Sequence, residues 1–278
     1  MSIAGTWRNE YGSLMTLSVG DGAAPGALRG LYRSSTGSVG SYVVAGFAAA
    51  HAAGPDHGQP VALSICWHSL GREQADPSWQ WTSGLSGQLS VVDGEEVLTL
   101  SHLLMASGDF PGLMPAGHYI DKLSFRRHAN PPPAPAIVRP AAASVTMDHP
   151  LAGEWCGADG TVLKLVAGLQ PDAGFAEASG VLLRKGHEAA VTGFITSGSG
   201  TAASRHAVSL AVADPGAGTV AAMSGTLDAA RGTLQLFSLS SRSTTPGDRY
   251  AQTSASHVEY FLLPKAWAHA KIPAQVAD

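Results

Sequence analysis

Apolar and polar side chains alternate with a period of two along most of the chain, which is the pattern of strands that bury one face. Residues 5–19 read as a strand, with Leu14, Thr16 and Ser18 on one parity and Met15, Leu17 and Val19 on the other. Gly20-Asp21-Gly22 supplies a turn before a second strand, Leu28 to Tyr32. Ser34 to Ser41 is small and polar enough to be a loop, and Tyr42 to Ala50 is a third strand. A loop over 51–59 leads to Val61–His68, an apolar and partly β-branched fourth strand, and residues 69–78 form another long loop. Trp79–Ser83 and Leu85–Val92 approach Asp93-Gly94, a strong hairpin signal, after which Glu95 to Met105 returns. Beyond the Gly- and Pro-rich stretch 106–117, Tyr119 to Arg126 closes the unit. About eight strands in up-and-down order, with no convincing amphipathic helix, predict a closed barrel, because closure removes the unpaired edges.

The head of this unit, Gly5-Thr6-Trp7-Arg8-Asn9-Glu10-Tyr11-Gly12-Ser13, returns in degraded form as Gly153-Glu154-Trp155-Cys156-Gly157-Ala158-Asp159-Gly160-Thr161. A motif repeated at the head of two apolar alternating runs marks an internal duplication. Between the copies lie Pro131-Pro132-Pro133, Pro135, Pro140 and an alanine run, the composition of a semi-rigid spacer. The expected division is residues 1–128 as a first barrel, 129–149 as a linker, 150–265 as a second barrel and 266–278 as a tail long enough for one helical turn. Strands of the second unit are expected near Thr161–Ala167, Ser179–Arg184, Ala189–Ile195, Ala207–Ala213, Ala221–Leu227, Gly232–Leu239 and Ser256–Leu263. The fold class is therefore all-β: two tandem eight-stranded antiparallel up-and-down barrels.

Composition narrows the function. Charged residues make up 14% of the 278, the net charge is −4 and no Lys/Arg run occurs, so the basic stripe that a phosphate backbone requires is missing. No uninterrupted apolar stretch approaches the length of a membrane-spanning helix. The Trp motif begins almost at residue 1, which leads to the expectation of a cytoplasmic protein without a signal peptide. Cys66 and Cys156 are the only cysteines, one in each half, and are expected to be reduced, buried thiols. His51, His57, His68, His102 and His118 match no metal-ligand spacing, so no metal and no cofactor is expected. Ser101 and His102 are adjacent in a strand and point to opposite faces, so they are not a nucleophile–base pair.

The first unit resembles the avidin/streptavidin family of biotin-binding proteins along nearly its whole length. The resemblance is carried by residues 5–13, by Leu-Arg-Gly-Leu-Tyr-Arg-Ser at 28–34 and by Tyr-Val-Val-Ala-Gly-Phe at 42–47. The strand ending in Trp67, Ser86-Gly87-Gln88 and the run 93–104 extend it. It implies a barrel whose open end holds one small ligand, biotin in that family. It also implies that Asn9, Ser13 and Tyr32 converge on the ligand's carbonyl oxygen. Ser34 would accept a ligand N–H, the 35–38 loop with Thr36 and Ser38 would act as a lid, and Trp67 would wall the ring. Where the family has an aromatic before its Gly-Gln pair this chain has Leu85, and where it has a Trp before Leu-Leu it has His102, followed by Leu104. The family's Ser and Thr that contact the ligand map to Trp81 and Ser83, with an alternative register placing Trp79 or Trp81 at the missing aromatic. A buried acid expected on the last strand is Asp121, or is replaced by Leu123. Phe110 and Met114 are the candidates for an aromatic that a neighbouring subunit lends in that family.

In the second unit the site positions become Gly157, Thr161, Leu182 and Arg184, so that barrel is expected to be structural, pairing with the first, with a homodimer beyond that. Two functions remain open. One is capture of biotin or a biotin-like cyclic urea or amide. The other is an enzyme of cyclisation or isomerisation type in which the same donors polarise a carbonyl and His102, aided by Tyr32, serves as acid or base. A vestigial pocket in a structural protein is the third possibility.

Overall fold

The computed structural model describes residues 2–20, 24–36, 38–70, 80–107, 118–129, 144–146, 149–169, 174–197, 204–245 and 253–264. Strands β1 (Gly5–Asn9), β2 (Leu14–Val19), β3 (Ala27–Ser34), β4 (Gly40–Ala48), β5 (Gln59–Ser69), β6 (Trp81–Val92), β7 (Glu95–Ala106) and β8 (His118–Arg127) form a closed antiparallel barrel in sequence order. Trp7 opposite Arg127 and Asn9 opposite Phe125 close it. Strands β10 (Gly153–Gly157), β11 (Val162–Leu169), β12 (Phe175–Arg184), β13 (His187–Thr196), β14 (Arg205–Asp214), β15 (Thr219–Asp228), β16 (Thr233–Arg242) and β17 (Thr253–Leu262) form a second, with β10 paired to both β11 and β17. The short β9 (Ser144–Thr146) adds to the edge of β11 beyond the end of β10. Most of the Pro-rich spacer and the whole tail after Pro264 lie outside the described residues.

Residues 5–19 are two strands rather than the single one expected. The Asn9 side chain explains the break: its Oδ1 accepts the backbone N–H of Tyr11 (3.1 Å) and of Ser13 (2.8 Å), which turns the chain at 10–13. Conversely, the separate runs expected on either side of Gly84 are one strand, β6. The expected number of strands stands only because these two differences cancel. Asp93-Gly94 is a two-residue turn with positive φ at both positions (53° and 82°), and Lys185-Gly186 repeats it in the second barrel (47° and 80°).

The duplication is visible in the pairing register. Trp7 opposes Met15 as Trp155 opposes Leu163, and each indole Nε1 donates to a backbone carbonyl four residues back, Ile3 or Leu151, at 2.9 Å. Gly30 and Gly180 sit at the same register, and a Cβ on either would lie 2.3 Å or less from a carbonyl of the neighbouring strand. Only glycine fits such close backbone approaches.

The two barrels pack against each other through β4–β6 and β13–β16. Val61, Leu63, Ile65 and Trp67 on β5 point into the first barrel, while Ala62, Ser64 and Cys66 point out and are equally buried. Phe47 on β4 packs on Ala211, Ala213, Val220 and Ala222 of the second barrel. Its equivalent Phe194 on β13 packs on Val43, Ala45 and Cys66 of the first. This exchange is an approximate twofold interface within one chain. Hydrogen bonds cross it: Ser64 Oγ to Ser209 O (2.9 Å), Ser209 Oγ to Ser83 O (2.8 Å), Ser86 Oγ with Ser241 Oγ (2.7 Å) and Gly58 N to Thr244 O (2.9 Å). Cys66 is buried at this face and Cys156 is only half-buried, and both are free thiols.

At Gly84 a Cβ would lie 2.5 Å from Ser224 Oγ and 3.2 Å from the Ala222 methyl. Gly84→Val is expected to overpack this face, at a cost of about 1–3 kcal/mol, and to split a single calorimetric unfolding transition into two as the barrels uncouple. An unchanged thermogram would show that the face does not couple them.

Candidate functional site

The open end of the first barrel encloses a cavity of about 480 Å³. Asn9 at the end of β1, Tyr32 and Ser34 on β3, Trp67 on β5, Trp81 on β6, His102 and Leu104 on β7, and Tyr119, Asp121 and Leu123 on β8 all line it, with Thr36 and Ser38 from the β3–β4 loop and Tyr11 from the β1–β2 turn. Every strand residue here shares the inward parity of its strand, so six strands of the barrel bring together positions scattered over more than a hundred residues. Ten of the thirteen residues singled out from the sequence line this cavity. Ser13, Ser83 and Leu85 do not.

The floor is a hydrogen-bond set with a defined sense. Asn9 Nδ2 donates to the Tyr32 hydroxyl at 3.4 Å, which leaves the phenol's own proton free to face the cavity. Burial pushes the Tyr32 pKa up, so the phenol stays protonated at neutral pH. Ser13 hydrogen-bonds the Tyr32 hydroxyl and also reaches the lid loop. Its Oγ accepts from Ser35 N (3.1 Å) and lies 3.2 Å from Ser35 Oγ, whose proton is taken by Tyr11 O (2.9 Å). The Ser13 hydroxyl thus ties the lid loop to the Tyr32 end of the cavity floor. The lid is also held by Ser34 Oγ with Ser38 Oγ (3.2 Å) and by Tyr42 Oη donating to Ser38 O (2.9 Å).

The walls are aromatic. Trp67 meets Tyr32 edge-on with ring centroids 5.8 Å apart and Tyr42 at 4.8 Å. Its Nε1 donates to Ser83 Oγ (2.7 Å), and Ser83 Oγ lies 2.8 Å from His102 Nε2. The arrangement that uses every proton runs from the indole N–H to Ser83 and from the Ser83 O–H to His102 Nε2, which places the ring proton of the neutral imidazole on Nδ1. Ser83 is thus a buried relay beneath the cavity. Leu85 lies deeper in the core, opposite His102 in register, and Trp81 reaches the cavity at the mouth-side end of β6. The β8 register places both Asp121 and Leu123 inward, opposite His102 and Leu100. Leu123 is buried, whereas Asp121 is at the rim and accepts from Tyr119 Oη (3.0 Å) and Lys122 N (2.7 Å).

The periodicity did not single out Tyr11 or Tyr119. Tyr119 could have been found by its parity with Asp121 on one strand. Tyr11 sits in a turn that the alternation passes over. Trp79, Phe110 and Met114 fall outside the described residues. Among the described residues no group of three or more His, Cys, Asp or Glu side chains is placed to hold a metal ion.

Burial lowers the pKa of His102 from its ordinary value near 6.5 to about 4, against a smaller opposing pull from Asp121. His149, near the closed end of the second barrel, is lowered to about 4 by burial and by His206. Both groups have folded pKa values below their unfolded ones, so the unfolded chain takes up protons first as the pH falls. Stability is complete above pH 6.5 and is lost as the pH drops toward 4. For His102 the loss is about 3 kcal/mol. The melting temperature is expected to fall between about pH 7.5 and about pH 4.5, and His102→Gln, which keeps a partner for Ser83 but does not titrate, is expected to flatten that slope.

The model of the avidin family matches residues 1–110. No curated protein matches the chain. Among solved structures, the crystal structure of Xenavidin is similar at 20% identity with a TM-score of 0.36, over 46% of this chain and 97% of that one. The family match spans β1 to β7, which carry nine of the cavity-lining positions on strands and lid, and the second barrel repeats the same strand order and register. The chain is thus a tandem of two avidin-like barrels, the first of which matches the avidin family model.

Proposed function

We propose that the first barrel captures biotin, or a cyclic urea or amide of that kind, without transforming it. The observation that carries this reading is the orientation of the Tyr32 hydroxyl. Held by Asn9 and buried, it offers its proton to the cavity, where a ligand carbonyl oxygen could replace lost water. Ser34 Oγ has lone pairs to accept a ligand N–H, and Trp67 and Trp81 supply ring surface. The site lacks features of the tightest binders. Leu85 and His102 stand where the family has aromatics, and Leu123 stands where an acid would take a second N–H. These losses favour micromolar affinity, near −8 kcal/mol by order of magnitude.

His102 bears on the rival enzymatic reading. A histidine whose pKa lies near 4, with Nε2 engaged by Ser83, is a poor general base at neutral pH. It serves better as a neutral Nδ1–H donor on the cavity wall, which suits binding over catalysis.

Titration calorimetry with biotin tests this. Saturable heat with one site per chain in the micromolar range is expected, and Tyr32→Phe is expected to weaken it roughly tenfold or more. No heat at millimolar biotin would remove biotin from consideration and leave another carbonyl ligand for the same donors.

A further inference from the structure

The second barrel was expected to be empty of chemistry, yet its open end holds a cavity of about 350 Å³ with a polar set of its own. The register equates Asn9 with Gly157, Ser13 with Thr161, Tyr32 with Leu182, Ser34 with Arg184 and Phe125 with Tyr260. The phenol lost from β12 is therefore regained from β17. The Tyr260 hydroxyl lies 3.4 Å from Thr161 Oγ1, as Tyr32 lies beside the Asn9–Ser13 turn.

The sense of the hydrogen bonds is reversed. Thr161 Oγ1 has one proton and gives it to the Asp159 carboxylate at 2.6 Å, so the contact with Tyr260 runs from the phenol to Thr161. The chain from Tyr260 through Thr161 to Asp159 turns the phenol's proton away, leaving its lone pairs as the free capacity. Where the first cavity offers a proton, the second offers acceptors.

Charge is concentrated at the rim beside this chain. Asp159 Oδ1 is occupied by the Thr161 N–H (3.1 Å) and hydroxyl, and Oδ2 has no protein partner among the described residues. Arg184 is close enough to help hold the Asp159 carboxyl below its ordinary range, but the two form no ion pair within 4 Å, and the guanidinium has no carboxylate partner among the described residues. Below them Leu182, Val212, Met223 and Val258 provide an aliphatic floor. The β12–β13 connection at the mouth is the two residues Lys185-Gly186, where the first barrel has its lid.

We propose that the mouth of the second barrel is a separate binding site for a small zwitterion of the α-amino-acid class with an aliphatic side chain. Its carboxylate lies on the Arg184 guanidinium and its ammonium against Asp159, bridging two opposite charges that do not reach each other. Its side chain fills the cavity over Leu182 and Met223. An α-amino acid carries both charges on one carbon, which matches two side-chain charges on adjacent turns of one rim. Asp214 and Glu259 also line the cavity, but Asp214 accepts from Ala217 N (3.0 Å) and Glu259 from Gln235 Nε2 (2.9 Å); a simple amine leaves the Arg184 charge uncompensated, and a simple carboxylate faces these acids as well as Asp159. The first cavity is aromatic, with the Asp121 carboxylate at its rim and no Arg or Lys in its lining to complete such a pair.

The test is titration calorimetry of the full chain with L-leucine, and in parallel with isoamylamine and 4-methylpentanoate, which each keep one of the two charges. Saturable binding of L-leucine at about millimolar affinity or better is expected, with both one-charge analogues at least about tenfold weaker. Arg184→Gln, on an exposed rim and outside the core, is expected to weaken leucine binding about tenfold without moving the melting temperature. Tyr32→Phe in the first barrel is expected to leave it unchanged. Absence of leucine heat at about ten millimolar, equal binding of either one-charge analogue, or indifference to Arg184→Gln would each overturn the proposal. Loss in Tyr32→Phe would place the leucine in the first barrel and overturn it also.

Discussion

The face between the two barrels is the constraint on which the rest of the structure depends. Strands β4, β5 and β6 are buried on both sides, inward by the first barrel's core and outward by β13–β16. A polar group carried outward on a doubly buried strand costs free energy unless it finds a partner. The chain meets this with small side chains, Ala45, Ala62, Ser64, Gly84 and Ser86, facing Ala207, Ser209, Ala211, Ala222 and Ser224. Small residues bring the sheets close, and Ser64, Ser86 and Ser209 reach carbonyls and hydroxyls across the gap, while the buried Ser224 Oγ has no partner among the described residues. The two phenylalanines, Phe47 and Phe194, fill the ends in exchange. The same strands carry Trp67, Trp81 and Ser83 on their inner faces, so the wall of the first cavity is held by the partner barrel behind it.

That arrangement governs what could be read from the chain. Alternation is clear where one face meets water, as in β2, β8 and β16, and it identified these strands. It fades in β5 and β6, where both parities are apolar or small, and there only turn residues such as Asp93-Gly94 marked the limits. The small side chains Ala, Gly and Ser in these strands are the composition of the shared face. Identity of the fold was legible through Trp7 and its repeat Trp155, because both close a barrel end with the same indole-to-carbonyl bond.

The site was legible to the extent that it depends on parity. Asn9, Tyr32, Ser34, Trp67, Trp81, His102 and Asp121 are inward residues at one end of successive strands, so register alone brings them together. What the sequence does not carry is the direction of each hydrogen bond. Ser13 bonds Ser35 on the lid as well as the Tyr32 hydroxyl, and Ser35 gives its own proton to Tyr11 O. Ser83 is a relay because the Trp67 indole can only donate. Such assignments depend on which neighbour has a proton left to give, and that requires all partners in place.

The same reasoning explains why the second barrel reads as stripped when its positions are compared one by one. Tyr32 becomes Leu182 and Phe125 becomes Tyr260, two changes on strands far apart in sequence that place a phenol at the same end of the barrel from the opposite side. A duplicated barrel keeps its backbone through Gly30 and Gly180, Trp7 and Trp155, and the turn closed by Asn9 N to Ser13 O or Gly157 N to Thr161 O. With that framework fixed, inward positions at the mouth are free to change together, because they touch one another and solvent rather than the shared face. Replacing Asn9 by Gly157 removes the amide that oriented the first phenol. Asp159, two residues on, takes over the turn by accepting from Thr161, and its charge reverses the proton order of the chain that follows. Loss of the amide at one position of the turn and gain of a carboxylate two residues on thus convert a floor that donates into one that accepts.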